Sequence, residues 1–433
     1  MTPLKALGGT SDILPEEALR WQKLETTARR VLNLYGYREI RTPLIEEAAV
    51  FTSSLGEAAE IVTKQMYLFQ DRGGRQVVLR PEGTASVVRA FIEHGMDKTG
   101  GLTRFYYLGP MFRAERPQAG RKRQFHQLGV EVFGSSSPYQ DVEVIALLMQ
   151  LLENFGIEKN VMLMLNNLGC PDDRPTIQKE LRASFLPHVP DLCQDCKQRL
   201  EVNPLRILDC KNPKCRSIAQ EKITMKAWER WLCKSCNEHF GKVITALKKI
   251  NIEPNLSPDL VRGLDYYTRT AFEVIYPGLG AQNAIGGGGR YDNLVELLGG
   301  AATPAIGFAL GLERVLMAQE ADGLTANDKM VSPLVFVATV SSAQIPNGLE
   351  LVEALRAQGI AASANLEDRP LKRQLEQAAK ANSSGTVLIL GEDEVKQNVV
   401  MVKNLATGQQ TKEPLGTIVE KLKGEILRPS ASG

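Results

Sequence analysis

Residues 105–134, FYYLGPMFRAERPQAGRKRQFHQLGVEVFG, constrain the fold more than any other stretch of the chain. Two runs of strand-forming residues flank 115–123, which holds Arg116, Arg121, Lys122 and Arg123 together with Pro117 and Gly120. This pattern predicts an antiparallel hairpin with a long basic tip. Side chains on a strand alternate faces, so His126, Leu128, Val130 and Val132 share a largely apolar side. Phe125, Gln127, Gly129, Glu131 and Phe133 share the other. The first face belongs in a core. The second, with two hydrogen-bonding groups on either side of a glycine and aromatic rings at the flanks, suits the floor of a site for a small polar ligand. A solvent-exposed sheet face fits the hairpin equally well when it is taken alone.

Further along, Arg314 sits in AIGFALGLERVLMA, an apolar segment that reads as a strand passing into a buried helix. An unpaired guanidinium there costs roughly several kcal/mol unless an anion meets it. Neighbouring Glu313 is poorly placed for this, because adjacent residues of a helix point apart. A phosphate would serve, and so would a structural carboxylate from elsewhere. Arg262 lies in LVRGLDYY beside a glycine and two tyrosines, and GGGGRYDN offers backbone that a ligand can approach without side-chain interference. That glycine run reads as a turn entering a helix. No GK[ST] follows it and no GxGxxG follows a strand, which excludes a P-loop and a Rossmann dinucleotide site.

At 433 residues the chain is long enough for two or three domains. No apolar run approaches the roughly 20 residues of a membrane span. The start, MTPLKALGGTSDILPEE, has no apolar stretch after a basic one and is acidic, so neither a secretory signal nor a transit peptide is expected, and the expected location is the cytoplasm. The net charge of +2 announces no nucleic-acid partner, so any such surface is local. Helical stretches at 16–34, 85–93 and 141–155 alternate with short strands, including EIRTPLIEE, without a regular βαβ beat. The expectation is an α+β fold with an antiparallel sheet built from 1–166 and 251–325. Residues 167–250 break the pattern with Pro, Cys and 16 Lys plus Arg against 10 Asp plus Glu, as an inserted subdomain would. A polar linker is expected at 326–333. Beyond it, 334–433 alternates strand and helix as a small α/β domain with a largely buried sheet.

Taken in order, RPEGTASVVRAFIEHG (80–95), the hairpin, LVRGLDYY, GGGRYDNL (287–294) and GFALGLERVL (307–316) resemble the histidyl-tRNA synthetases of class II. The likeness runs over essentially the whole chain, from GTSDILP to the C-terminal α/β region, which resembles an anticodon-binding module. It departs from the family pattern at Gly8-Gly9, where a basic residue usually precedes Gly-Thr, and at Asn293, where glycine is usual.

The resemblance implies a histidine–tRNA ligase: ATP, accompanied by Mg2+, activates L-histidine to the adenylate, and histidine passes to the 3′ end of tRNA(His) with release of AMP and pyrophosphate. Arg113 would grip the α-phosphate, Arg314 the γ-phosphate side, and Arg262 would act as a further catalytic cation. Fixed cations at a phosphorus where charge builds stabilise the transition state most. Glu115 and Arg121 would orient adenine and phosphates, with Phe125 stacked on adenine. Histidine would be held by Glu82, Thr84, Gln127, Glu131, Arg262, Tyr266 and Tyr267, and the tRNA acceptor end met by Arg116 and Gln118. Pro43 resembles the motif that forms the class II dimer interface, so a homodimer is expected. A noncatalytic relative, the synthetase-like regulatory subunit of ATP phosphoribosyltransferase, is the alternative. Retention of the three arginines and of the C-terminal domain argues against it.

Seven cysteines in a long chain without a secretory signal suggest thiols or metal rather than disulfides, and six lie between Cys193 and Cys236. The CxxC pairs Cys193/Cys196 and Cys233/Cys236 together suit a structural Zn2+. With Cys210 and Cys215 between them, six thiols exceed one simple site, and the spacing also permits two quartets or a metal-free set.

Overall fold

The structure, a computed structural model, describes residues 3–55, 61–116, 120–261, 266–324, 335–381 and 385–426. The chain forms two compact units, Met1–Ala326 and Asn327–Gly433. Two expected site residues, Arg262 and Gln118, and the expected linker 326–333 lie outside the described residues.

The first unit is built on an eight-stranded sheet. Its strands run in the order Arg38–Glu39, Thr103–Phe112, Gln124–Phe133, Ala305–Gly311, Ala284–Arg290, Thr268–Ile275, Met162–Asn167 and Asn255–Leu256. Every pairing is antiparallel except the outermost at each edge. This is the largely antiparallel sheet of the expected α+β fold. One face is covered by the helices Pro15–Leu34, Pro138–Asn154 and Lys234–Lys249, whose Leu24, Leu148 and Val243 pack with Leu128, Val130 and Val132. Against the other face the helix Thr84–Glu93 packs Val87, Val88 and Phe91 on Phe133. The alternation expected for the second hairpin strand is thus the alternation observed. Helix starts follow local chemistry: Pro15 with Glu16 and Glu17 in the first turn, and Ser137 accepting the Tyr139 amide ahead of Pro138.

Two sequence expectations are corrected. EIRTPLIEE is not one strand: Arg38–Glu39 joins the large sheet, while Ile45–Glu47 joins a separate three-stranded sheet with Gln76–Leu79 and Tyr67–Gln70. Pro43, which can give no ladder hydrogen bond, lies between the two. The glycine run is no turn either. Ala284–Arg290 is a strand in the middle of the sheet, followed after Tyr291 by a helix of one turn, Leu294–Leu297. Close backbone approach explains the composition, since a Cβ on Gly288 would lie 2.0 Å from the Gly307 carbonyl oxygen.

Beneath this sheet lies a buried polar hub. Asp141 accepts from Arg290 Nε at 2.7 Å and from Thr270 Oγ1 at 2.6 Å, and meets His239 Nε2 at 2.7 Å. Arg290 spends its remaining nitrogens on Asp292 and on the carbonyls of Ser135 and Ser137. Residues 167–250 are helical, with a core of their own in which Phe185, Leu200, Trp228 and Cys196 are buried.

The second unit holds a five-stranded sheet in the order Ala362–Ala364, Val335–Thr339, Thr386–Leu390, Val399–Asn404, Gln410–Pro414, parallel over the first three and antiparallel beyond. Both faces are covered: Val335 and Val337 pack in one core, Phe336 and Ala338 in another. The last strand and the helix Leu415–Ile426 go beyond what the sequence reading identified.

Candidate active site

The hairpin pairs from Thr103 opposite Phe133 to Phe112 opposite Gln124, and the Arg113 amide extends the ladder to the Arg123 carbonyl at 2.8 Å. Its loop is not free basic surface. Arg123 bonds the carbonyls of Gly9 and Gly8 through its amide and guanidinium, and Lys122 Nζ reaches Ser11 Oγ at 2.8 Å. The GGTSD opening is therefore clamped to the hairpin, and two of its four basic residues are engaged in doing so.

Inside the hairpin a cavity of about 280 Å³ is walled by Arg113, Glu115, Arg121, Phe125, Gln127 and Arg314, with Glu82, Thr84, Tyr266 and Tyr267 also on it. All these expected residues meet in one place. Arg116 does not line this cavity. It belongs to a second, larger one of about 730 Å³, which shares Arg113, Glu115 and Arg121 with the first and is walled on the far side by Arg199, Arg206 and Lys211 of the insertion.

The arginines are crowded. Arg113 Nε donates to the Pro81 carbonyl at 3.0 Å, and its guanidinium lies 5.0 Å from the centre of the Phe125 ring. Arg121 pairs with Glu115 at 3.0 Å. Arg314 Nε donates to the Gly120 carbonyl at 3.2 Å, and Nη1 to that of Ala284. Glu313, one residue away, points elsewhere and accepts the amide of His126 at 2.9 Å. Burial lowers the Arg314 pKa, and the fields of Arg121 and Arg113 lower it further, while Glu115 and Glu273 pull the other way. Burial likewise lowers that of Arg113. A polyanion placed among these cations relieves both effects.

The other end of the cavity is a set of paired neutral and acidic groups. Glu82 accepts the amides of Thr84 at 2.6 Å and Ala85 at 2.8 Å, which fixes it at the N-terminus of Thr84–Glu93. Burial still pushes its pKa up, against those two bonds. Glu131, 1% exposed, does not itself line the cavity: it lies behind Thr84 and Tyr291, accepting from Thr84 Oγ1 at 2.7 Å and from the Tyr291 hydroxyl, and burial pushes its carboxyl up to about 8. The Gln127 Oε1 is buried without a partner among the described residues. Space for this arrangement comes from two glycines. A Cβ on Gly129 would stand 2.2 Å from the Tyr107 ring, and one on Gly307 would stand 1.9 Å from Glu131 Oε2.

Tyr291 is the residue the sequence reading missed. It stood inside the quoted GGGGRYD, but a glycine run taken as a turn gave no reason to aim the next side chain at Glu131. The zinc set also needs correction. Cys193/Cys196 and Cys233/Cys236 do not share a site: the first pair gathers with Cys210 and Cys215, the second with Cys170 and Asp173.

The family model described as Histidyl-tRNA synthetase matches residues 9–172 and 217–315, and that described as Anticodon binding domain matches residues 334–425. A histidine–tRNA ligase of Desulforamulus reducens is 48% identical over 411 residues, covering 95% of this chain and 97% of that protein. One of Natranaerobius thermophilus is 45% identical over 419 residues, covering 97% and 98%. In three dimensions the chain is similar to apo histidyl-tRNA synthetase of S. aureus, with a TM-score of 0.79 and 34% identity over 97% of this chain and 100% of that one.

Proposed function

The chain belongs to the histidyl-tRNA synthetase family, and on that premise we propose how its pocket performs the work. The activity is that of a histidine–tRNA ligase, an aminoacyl-tRNA synthetase; the regulatory-subunit alternative is not favoured. L-Histidine lies at the Glu82, Thr84, Gln127, Glu131 end, with Tyr266 and Tyr267 against it. ATP lies along the hairpin with its phosphates among Arg113, Arg121 and Arg314. Glu131 and the Tyr291 hydroxyl address the imidazole nitrogens, Glu82 the α-ammonium. Phe125 stacks on adenine, and Arg262 is assigned to the α-phosphate by resemblance alone. Glu115 and Glu273, on the cavity wall, would hold the Mg2+ that accompanies ATP, which would draw charge from the phosphates.

The histidine carboxylate attacks the α-phosphorus, the bond to the β-phosphate oxygen breaks, and pyrophosphate leaves. Negative charge rises on the α-phosphate oxygens as this happens, and guanidinium groups already fixed by backbone carbonyls stabilise it without reorganising. In the second step the terminal ribose hydroxyl of tRNA(His) attacks the histidyl carbonyl and AMP departs.

One observation carries this assignment: Glu82, Thr84, Gln127 and Tyr291 share a single cavity with three crowded arginines, and Glu131, buried behind that wall, bonds both Thr84 and Tyr291. A site built on polar pairing rejects analogues that lack the paired groups by about 10⁴-fold or more. Exchange of radiolabelled pyrophosphate into ATP should therefore require histidine, and charging of total tRNA should consume it. Absence of exchange with histidine, while another amino acid supports it, would overturn the assignment.

The larger cavity suits the acceptor end, since Arg116, Arg199, Arg206 and Lys211 present cations to a phosphate backbone; Gln118 is assigned there by resemblance. On the C-terminal unit the exposed Arg369, Lys372 and Arg373 offer a patch for the anticodon region. We assign 1–166 with 251–325 to catalysis, 167–250 to an acceptor-side insertion and 334–433 to anticodon binding. A homodimer is supported by exposed apolar residues of the small sheet and its entry, Leu44 (41%), Ile45 (51%), Leu68 (53%) and Phe69 (43%). Sedimentation equilibrium at twice the chain mass tests it. Among the described residues no helix is long and apolar enough to cross a membrane.

A further inference from the structure

All seven cysteines are free thiols, yet none stands alone. In each of the two groups the ligand atoms lie within 4.8 Å of one another. We propose that the insertion holds two tetrahedral zinc sites, one of Cys193, Cys196, Cys210 and Cys215, the other of Cys170, Asp173, Cys233 and Cys236.

The distances fit a tetrahedral centre in each group. Sulfurs held at about 2.3 Å by one tetrahedral centre stand about 3.8 Å apart, and a sulfur and a carboxylate oxygen about 3.5 Å apart. Cys193 Sγ and Cys210 Sγ are separated by 3.8 Å, Cys170 Sγ and Asp173 Oδ2 by 3.4 Å. Backbone amides are aimed at the sulfurs as well: Cys193 at Cys215 Sγ (3.2 Å), Asn212 at Cys210 Sγ (3.4 Å) and Cys236 at Cys233 Sγ (3.4 Å). Such donors orient and stabilise thiolates, as outer partners of a metal do. Both CxxC pairs are also placed alike. Cys193 is the N-cap of Gln194–Val202 and Cys233 that of Lys234–Lys249, so each pair sits in the first turn, where the helix dipole favours negative charge. In the second group Asp173 is 4% exposed, and its two oxygens take the amides of Cys233 at 2.8 Å and Cys170 at 3.1 Å, which orients the carboxylate toward the thiols.

The first site ties Gln194–Val202 to Pro213–Lys222 across the loop that carries Arg206 and Lys211. Cys193 and Cys210 lie on the wall of the larger cavity, facing Arg113 and Arg116 across it. Zinc there would fix the basic wall, and this part of the inference rests on the proposed acceptor site; the metal count does not.

The test is elemental analysis of the full-length protein purified without chelator, with zinc release followed by a colorimetric indicator as an organomercurial titrates the thiols. The expected result is about two zinc ions per chain, one lost in Cys215→Ser and the other in Asp173→Ala. Less than about half a zinc per chain, with all thiols titrating, would overturn both sites. One zinc lost with Cys215→Ser but kept with Asp173→Ala would overturn the second site and support the first. Iron in place of zinc, or fewer thiols than cysteines from a disulfide, would overturn the assignment as well. Cys215→Ser should raise the KM for tRNA about tenfold while histidine-dependent exchange stays within about twofold. The release measurement on the unaltered protein stands if a variant fails to fold, and exchange in the parent reports separately on the ligase assignment.

Discussion

Asp141 and Arg290 form an ion pair at 2.7 Å in which neither side chain reaches solvent. Removing the Asp141 charge leaves the buried Arg290 with Asp292 as its remaining carboxylate, so the cost falls toward the lower end of the about 3–5 kcal/mol of breaking a buried pair. Asp141→Asn should lower stability by that order in denaturant unfolding, and a loss under about 1 kcal/mol would show that the hub is dispensable.

Arg113 is held by the Pro81 carbonyl and the Phe125 ring. Arg113→Ala should reduce histidine-dependent pyrophosphate exchange by about 10²–10³-fold, with little change in melting temperature. Exchange within a few-fold of the parent would remove Arg113 from the reaction.

The raised pKa of Glu131 makes a pH prediction. Its carboxyl ionises near 4.5 in the unfolded chain and near 8 in the folded one, so between these values the folded state binds the extra proton. Stability contributed by this group therefore falls as pH rises through that window. Glu131→Gln removes the titration, and its melting temperature should gain on that of the parent from about pH 5 to about pH 8. A constant difference across that range would contradict the assignment.

Gly307 touches Glu131 where no Cβ fits. Gly307→Ala should displace the carboxylate and raise the KM for histidine by about tenfold or more, with a smaller effect on that for ATP, and cost about 1–3 kcal/mol by overpacking. Steady-state exchange kinetics separate the two substrates.

Where burial follows a simple period, the sequence declared the structure. Leu128, Val130 and Val132 went to one face and Phe125, Gln127 and Glu131 to the other, and Arg314 proved to need carbonyl and field partners that Glu313 does not provide. What stayed hidden depends on contacts distant in sequence. The glycines of 286–289 look like a turn until the Gly307 backbone is known to lie against them, and Tyr291 gains its meaning from Glu131 across the sheet. Cysteine spacing likewise does not say which thiols meet: the fold brings Cys170 and Asp173, outside the CxxC pattern, to Cys233 and Cys236.

The strand order has a consequence for how the chain is made. During synthesis the hairpin leaves the ribosome first, and Gln124–Phe133 shows an unpaired edge until Ala305–Gly311 emerges to lie between it and the glycine strand. The whole insertion is translated in between. A nascent chain stalled before residue 305 thus carries an open sheet edge beside uncovered apolar side chains, the kind of surface on which chains aggregate and which chaperones bind. Synthesis of this unit is most exposed to failure over that stretch, while the Asn327–Gly433 unit, with its own two cores, takes no part in closing the sheet.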